Sequence, residues 1–256
     1  MERAALLERL SRGRAPIVWR TTTVREIVLE TEHARTIVLD VPGWPGHVAG
    51  QHVDVRLTAE DGYQAERSYS IASAPESPSL SLTVVVFDDG EVSPYLAEEL
   101  RVGDEFEVRG PVGGYFTWRV EDGGPLLLIA GGSGLVPLMA MLRHHAAQAS
   151  AVPVSMLVSA RSRDDTLYRD ELATLSGHGG VEVSYTLTRE QPRGWTGFAR
   201  RVDAEMLTAV GPSPGDRPRV FVCGPTAFVE SVADRLVELG HAPGAIRAER
   251  FGPTGE

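Results

Sequence analysis

Three short clusters in the 256-residue chain carry residue types suited to a ligand with phosphates and a flat ring. The first is Gly131-Gly132-Ser133-Gly134-Leu135-Val136-Pro137, between an apolar strand and a helix. Glycines at a strand-to-helix turn let the backbone approach a bound group, and the helix start offers unpaired N–H groups and positive dipole to phosphate. Pro137 stands where the third glycine of a G-x-G-x-x-G fingerprint would be, so a plain tight turn is the competing reading. The second cluster is Arg67-Ser68-Tyr69-Ser70. Arg can fork onto a phosphate, Tyr can lay its ring on a flat ligand, and a Ser hydroxyl can bond a ring nitrogen. Strand alternation puts Ser68 and Ser70 on one face and Arg67 and Tyr69 on the other, and ordinary polar decoration of a half-buried strand is the competing reading. The third is Cys223-Gly224-Pro225-Thr226, a strand end running into a helix. Cys223 is either a small buried hydrophobe or, being on the same sheet edge as Gly131–Gly134, a wall of the same site.

These clusters need elements to hold them. From Trp19 to Arg119 the chain runs in short β-type segments separated by Gly, Pro and Asp: Trp19–Glu30, Ala34–Val41, His52–Thr58, Arg67–Ala72, Leu80–Phe87, Glu105–Arg109 and Tyr115–Arg119. Alternation such as Val53, Val55 and Leu57 against Asp54 and Arg56 marks strands with one buried face and predicts a small antiparallel barrel or sandwich. Only Ser93–Leu100 reads as helical in this half, Pro94 being tolerated in a first turn. After Glu121-Asp122-Gly123-Gly124-Pro125 the pattern changes. Leu126–Ala130, Val154–Ala160, Val181–Thr188 and Val220–Cys223 are apolar strands, alternating with helices over Leu135–Gln148, Tyr168–Leu175 and Thr226–Leu239. Continuous apolar strands between helices predict a parallel sheet covered on both faces. The expected organisation is an N-terminal helical extension over 1–14, an antiparallel β-barrel domain over 15–120 and an α/β parallel-sheet domain over 121–256.

Composition narrows the chemistry. All 25 basic residues are Arg, so no mechanism that needs a Lys ε-amine is available. The single Cys cannot form an internal disulfide, a four-Cys zinc site or the thiolate cage of an iron–sulfur cluster, and no metal site is expected. A net charge of −10 argues against a general nucleic-acid or anionic-membrane binder. The apolar stretches are strand-length, so no membrane span is expected; the amphipathic Met1–Arg14, with no uninterrupted apolar run, does not read as a secretory signal, and the expected location is cytoplasmic.

In this order and spacing the clusters resemble the ferredoxin–NADP reductase superfamily, from about Trp19 to Phe251. RSYS at Arg67–Ser70 is similar to the family's R-x-Y-S flavin motif, and Gly90-Glu91-Val92-Ser93-Pro94-Tyr95-Leu96 to its second flavin motif. Gly110-Pro111-Val112-Gly113-Gly114-Tyr115-Phe116 resembles the turn that closes the barrel, GGSGLVP the nicotinamide nucleotide loop, and CGP the strand end beside the nicotinamide. The resemblance implies FAD and NADPH or NADH as cofactors. It implies that Arg67 and the N–H groups around Val92 and Ser93 bind the FAD pyrophosphate, that Tyr69 packs on the isoalloxazine, and that Ser70 bonds near flavin N5. Gly132, Ser133, Gly134 and Pro137 would form the nucleotide loop, and Cys223, Gly224 and Pro225 would lie beside the nicotinamide. Glu249 would complete a catalytic Ser70–Cys223–Glu249 group. Phe251 would cover the flavin or be a core strand residue; Gly252–Glu256 follows it, where the plant-type pattern ends on the aromatic. Ser159, Arg161, Arg163 and Arg169 follow the second α/β strand, where the adenosine ribose is expected, and the Arg residues lean the choice to NADPH.

The activity implied is hydride transfer from NAD(P)H to FAD, with electrons passed to a separate acceptor: a ferredoxin, a flavodoxin or an oxygenase component. An Arg-rich patch around Arg12, Arg14, Arg20 and Arg25 is a candidate dock for an acidic partner. The alternatives are a reductase of small acceptors such as free flavin or quinone, or a non-catalytic flavin-binding subunit.

Overall fold

The structure is a computed structural model and describes residues 17–86 and 92–251. The expected helix over 1–14 and residues 90 and 91 of the second flavin motif lie outside the described residues. Six antiparallel strands build the first half: β1 Trp19–Thr31, β2 Ala34–Asp40, β3 His52–Thr58, β4 Gln64–Ser70, β5 Leu80–Val85 and β6 Glu105–Val112, in the order β4-β3-β6-β1-β2-β5. The two ends of that order meet just past β4, where Ile71 bridges Leu82 and the Ala72 N–H donates to the Ser81 carbonyl at 2.8 Å. That closure makes a barrel. Alternation decides its inside: Val53 and Val55 are fully buried in a core with Ile37, Leu39, Leu82 and Val108, whereas Asp54 and Arg56 point outward.

The second half is a five-stranded parallel sheet of β7 Leu126–Gly131, β8 Val154–Ala160, β9 Val181–Leu187, β10 Arg219–Pro225 and β11 Ile246–Phe251, in the order β11-β10-β7-β8-β9. Leu126, Leu128 and Ala130 of β7 join one apolar cluster with the helix α1, Leu135–Ala147, while Leu127 and Ile129 join another beneath α3, Ala204–Val210, and α4, Thr226–Glu238. The helix α2, Arg169–Leu175, adds Leu172 to the first cluster. Ten of the 13 residues of α1 are buried, because the barrel covers the side that the sheet leaves. Among the described residues no helix is long and apolar enough to cross a membrane, and no group of three or more His, Cys, Asp or Glu is placed to hold a metal ion.

Some elements differ from the sequence reading. Tyr115–Arg119 is not a strand: only Trp118 forms a bridge, to Ala49, and Phe116 and Trp118 are instead buried between barrel and sheet. Phe116 meets Phe221 of β10 edge-on at 5.3 Å. Gly50 makes room for this crossing, since a Cβ there would fall 2.0 Å from the Phe116 carbonyl oxygen. The strand expected at Arg67–Ala72 is shifted to Gln64–Ser70 by its pairing with the whole of β3. The helix expected at Ser93–Leu100 is a single turn, Val92–Pro94, that widens into a π-helical turn over Tyr95–Glu99. β11 and α3 were not among the expected elements, although a strand residue was one of the two readings of Phe251: the first is an edge strand with one buried residue, Ile246, and the second is only seven residues long.

Candidate functional site

The carboxyl ends of the parallel strands form a row. Across neighbouring strands Cys223 pairs with Ala130, Gly131 with Ser159 and Ser159 with Thr186, so the predicted loop residues share one sheet edge. The crossover order changes between β7 and β10, and ligands of open α/β sheets bind at such a switch point. There the chain makes a tight 3-10 turn, Gly132–Gly134, before α1 starts. Gly132 sits at φ +54°, and a Cβ on Gly134 would lie 2.0 Å from the Cys223 carbonyl oxygen and 2.6 Å from the Gly224 nitrogen. Only glycine allows the turn to press so closely on the Cys223–Gly224 strand end. Pro137 is buried in the first turn of α1, while Ser133 is half-buried and Gly132 and Pro225 are exposed at the edge.

Cys223 is fully buried, and directly across from it in the β10–β11 register is Glu249. Burial pushes the Glu249 carboxyl up to about 7, and burial together with the Glu249 charge raises the Cys223 thiol well above its ordinary range. Two buried polar atoms have no hydrogen-bond partner among the described residues: Glu249 Oε2 on the sheet and Ser70 Oγ at the end of β4 on the barrel. A buried polar group without a partner costs stability, so an orphan of this kind calls for a reason. Ser70 ends the predicted flavin motif and Glu249 lies in register with Cys223 of the predicted nicotinamide strand end, and both suit a ligand that carries ring nitrogens, carbonyls and an amide. Arg247, two residues before Glu249, reaches the barrel and donates to the Thr117 carbonyl at 2.5 Å.

On the barrel side Arg67 is exposed, with its Nη1 donating to the Glu66 carbonyl at 2.8 Å. Tyr69 packs against the barrel core and is half-buried, which pushes its phenol up to about 12. Ser68 faces away and donates to Asp54 Oδ1 at 2.7 Å, and Arg109 grips the other oxygen of Asp54 at 2.8 Å. The turn carrying Val92 and Ser93, both buried, lies against β4, so a phosphate can be shared between that turn and Arg67.

Farther along the row Ser159 is half-buried and Arg161 is exposed. Arg169 is drawn to Asp164 at 3.6 Å and Asp170 at 3.3 Å, so part of its charge is already answered. Phe251 is half-buried against the cluster that holds Cys223 and is the last described residue of β11. Sequence reasoning missed Tyr185 and Trp195, whose rings meet edge-on at 6.5 Å beyond β8 near Arg163. It also missed Arg143 and Tyr168, which join the halves, because no local pattern relates residues 70 positions apart.

Comparison with known proteins agrees with this layout. A family model described as an oxidoreductase FAD-binding domain matches residues 23–117, and one described as an oxidoreductase NAD-binding domain matches residues 128–234. The chain is similar to ferredoxin–NADP reductase B of Sorangium cellulosum, 33% identical over 89% of this chain and 91% of that protein. It is similar also to the glycine betaine monooxygenase reductase subunit of Pseudomonas aeruginosa, 31% identical over 90% of this chain; the match spans 63% of that relative's length. In fold it resembles the flavohem-like FAD/NAD-binding domain of nitric oxide dioxygenase from Vibrio cholerae, with a TM-score of 0.81 at 26% identity, covering 91% of this chain and 99% of that one.

Proposed function

The chain belongs to the ferredoxin–NADP reductase superfamily of FAD-dependent oxidoreductases, and from that premise we propose that it moves hydride from a reduced nicotinamide nucleotide to FAD and passes the electrons to an acceptor outside these 256 residues. The observation that carries this reading is the pair of buried, unpartnered atoms, Ser70 Oγ on the flavin strand and Glu249 Oε2 beside Cys223. FAD supplies the two-electron acceptor for the hydride. Arg67, Val92 and Ser93 hold the pyrophosphate, Tyr69 gives its ring to the isoalloxazine, and Ser70 offers its hydroxyl to the ring edge. Gly132, Ser133 and Gly134 receive the nucleotide phosphates, and Cys223, Gly224 and Pro225 form the wall that keeps the nicotinamide against the flavin. Hydride transfer needs contact and alignment, so a neutral, packed Cys223 suits the wall better than a reactive thiolate. Ionised Glu249 favours the positive charge that appears on the nicotinamide ring as hydride leaves.

The lone Cys223 cannot ligate an iron–sulfur cluster, so the next carrier lies outside these residues. The relatives' names support a ferredoxin or an oxygenase component as that acceptor. Arg161 and Arg163 at the end of β8, with Arg169 partly engaged, support NADPH over NADH. A need for reduced nicotinamide nucleotide supports a cytoplasmic setting for this activity. The test is anaerobic mixing of purified protein with each nucleotide. A yellow protein that bleaches with NADPH faster than with NADH is expected. A colourless protein, or a yellow one bleached by neither, overturns the reading in favour of a non-catalytic subunit.

A further inference from the structure

Arg143 lies two turns into α1 and binds both halves of the molecule. Its Nη1 donates to the carbonyl of Ala72 at 2.7 Å, two residues beyond Ser70 on the barrel. Its Nε and Nη2 donate side-on to Glu171 of α2, at 2.8 and 2.6 Å, and its guanidinium carbon lies 4.8 Å from the centre of the Tyr168 ring. Only the planar fork of Arg can make this set of contacts at once.

Tyr168 is held as firmly. It takes a left-handed backbone conformation at φ +51°, its ring is buried, and its N–H donates to Glu30 Oε2 at 3.3 Å. Its hydroxyl donates to Thr83 Oγ1; Thr83 and Thr36, paired across β5 and β2, share a hydrogen bond of 2.7 Å, and Thr36 donates to Glu30 Oε1 at 2.6 Å. The three hydroxyls therefore point one way around a closed ring that ends on the Glu30 carboxylate, and such chains strengthen one another. The ring ties the loop after β8 to three barrel strands.

The other end of α1 starts from Gly134, which presses on Cys223 and Gly224. From Leu135 to Arg143 is about 12 Å of helix, nearly all of it buried, so a shift at Arg143 is passed to the nucleotide loop rather than absorbed. We propose that Arg143 and Tyr168 form a latch that fixes the nicotinamide-binding edge of the sheet against the flavin strand, and that they set the rate of hydride transfer as positioning residues, without touching either cofactor. This rests on the reductase reading above.

Three variants test it: Arg143→Met, which keeps the stem and loses the fork; Arg143→Lys, which keeps one charge; and Tyr168→Phe, which loses one oxygen. FAD content and nucleotide dissociation constants are expected to stay within about twofold of the parent, because the cofactor contacts are intact. The flavin reduction rate in stopped flow is expected to fall at least about tenfold in Arg143→Met, since misplacement by an ångström costs about a hundredfold, with partial rescue in Arg143→Lys. A second readout is the distance distribution between spin labels on Glu60→Cys in the barrel and Glu182→Cys on β9, both exposed positions; Cys223 is buried and stays unlabelled. Broadening in Arg143→Met and Tyr168→Phe is expected. A parental rate overturns the latch, and so does a slowed rate at an unchanged distance distribution. Should Arg143→Met not fold, the same criteria apply to Tyr168→Phe. If the parent flavin is bleached by neither nucleotide, the reductase reading fails on that measurement, while the distances still decide whether the two residues fix the domain pose.

Discussion

Cys223 and Glu249 stand opposite each other on adjacent parallel strands, and the carboxylate makes the buried thiol harder to ionise. In a parallel pair, residues in register project from the same face, so the two side chains share one small surface at the sheet edge. One is apolar and fully buried; the other carries an oxygen with no partner among the described residues.

Cys223 is therefore expected to be chemically inert in the folded protein. Iodoacetamide at pH 8 should label it only at the rate of global or local opening, far below the rate for a free thiol, since the thiolate is the reactive form. Mass spectrometry of a time course, with and without urea, checks this; rapid native labelling would contradict the placement.

Glu249 makes stability depend on pH in a definite direction. Its folded value near 7 lies above the ordinary carboxyl value of 4.5, so the unfolded chain gives up its proton first as pH rises. Stability should then fall between about pH 4.5 and 7 and level off above, by roughly 3.5 kcal/mol at most at about 1.4 kcal/mol per unit. Glu249→Gln should remove that slope in urea titrations of the FAD-free protein at pH 5 and 8. In the loaded enzyme the reduction rate should rise through about pH 7, and the glutamine variant should lose that rise.

Ser70→Ala separates function from stability. Its hydroxyl has no partner in the described residues, so deleting it from FAD-free protein should leave the melting temperature unchanged or slightly higher. Flavin reduction should slow by about tenfold or more, the cost of removing one well-placed hydrogen bond in a transition state. A clear loss of stability with an unchanged rate would show the hydroxyl to be structural.

Gly134→Ala and Gly132→Ala should differ. At Gly134 the added Cβ meets backbone atoms of Cys223 and Gly224, which have no room to yield, and about 2–3 kcal/mol of stability and most nucleotide affinity should be lost. At Gly132 nothing lies within 4 Å, and only the positive φ opposes alanine, at about 1–2 kcal/mol. Calorimetry and nucleotide titration of both variants distinguish the two cases.

Much of the molecule was readable from residue order. Alternation along Val53–Leu57 and the apolar runs Leu126–Ala130 and Val154–Ala160 reveal a barrel and a parallel sheet, because side-chain periodicity follows directly from strand geometry. The clusters Arg67–Ser70, Gly131–Pro137 and Cys223–Pro225 are legible because strand ends and glycine turns are local features. Tyr115–Arg119 misled, since its alternation serves the packing of Phe116 and Trp118 between two domains rather than a strand. β11 and α3 escaped for want of length and contrast. Tertiary structure alone decided which residue meets which: that Glu249 faces Cys223, that Ser70 Oγ and Glu249 Oε2 are left unpartnered, and that Arg143 reaches Ala72 while Tyr168 closes a ring through Thr83, Thr36 and Glu30. Such contacts depend on how the two sheets pack around one buried helix. Residue order constrains each sheet through its own periodicity, but the meeting of the two is set by shape and by the pairing of polar groups far apart in the chain.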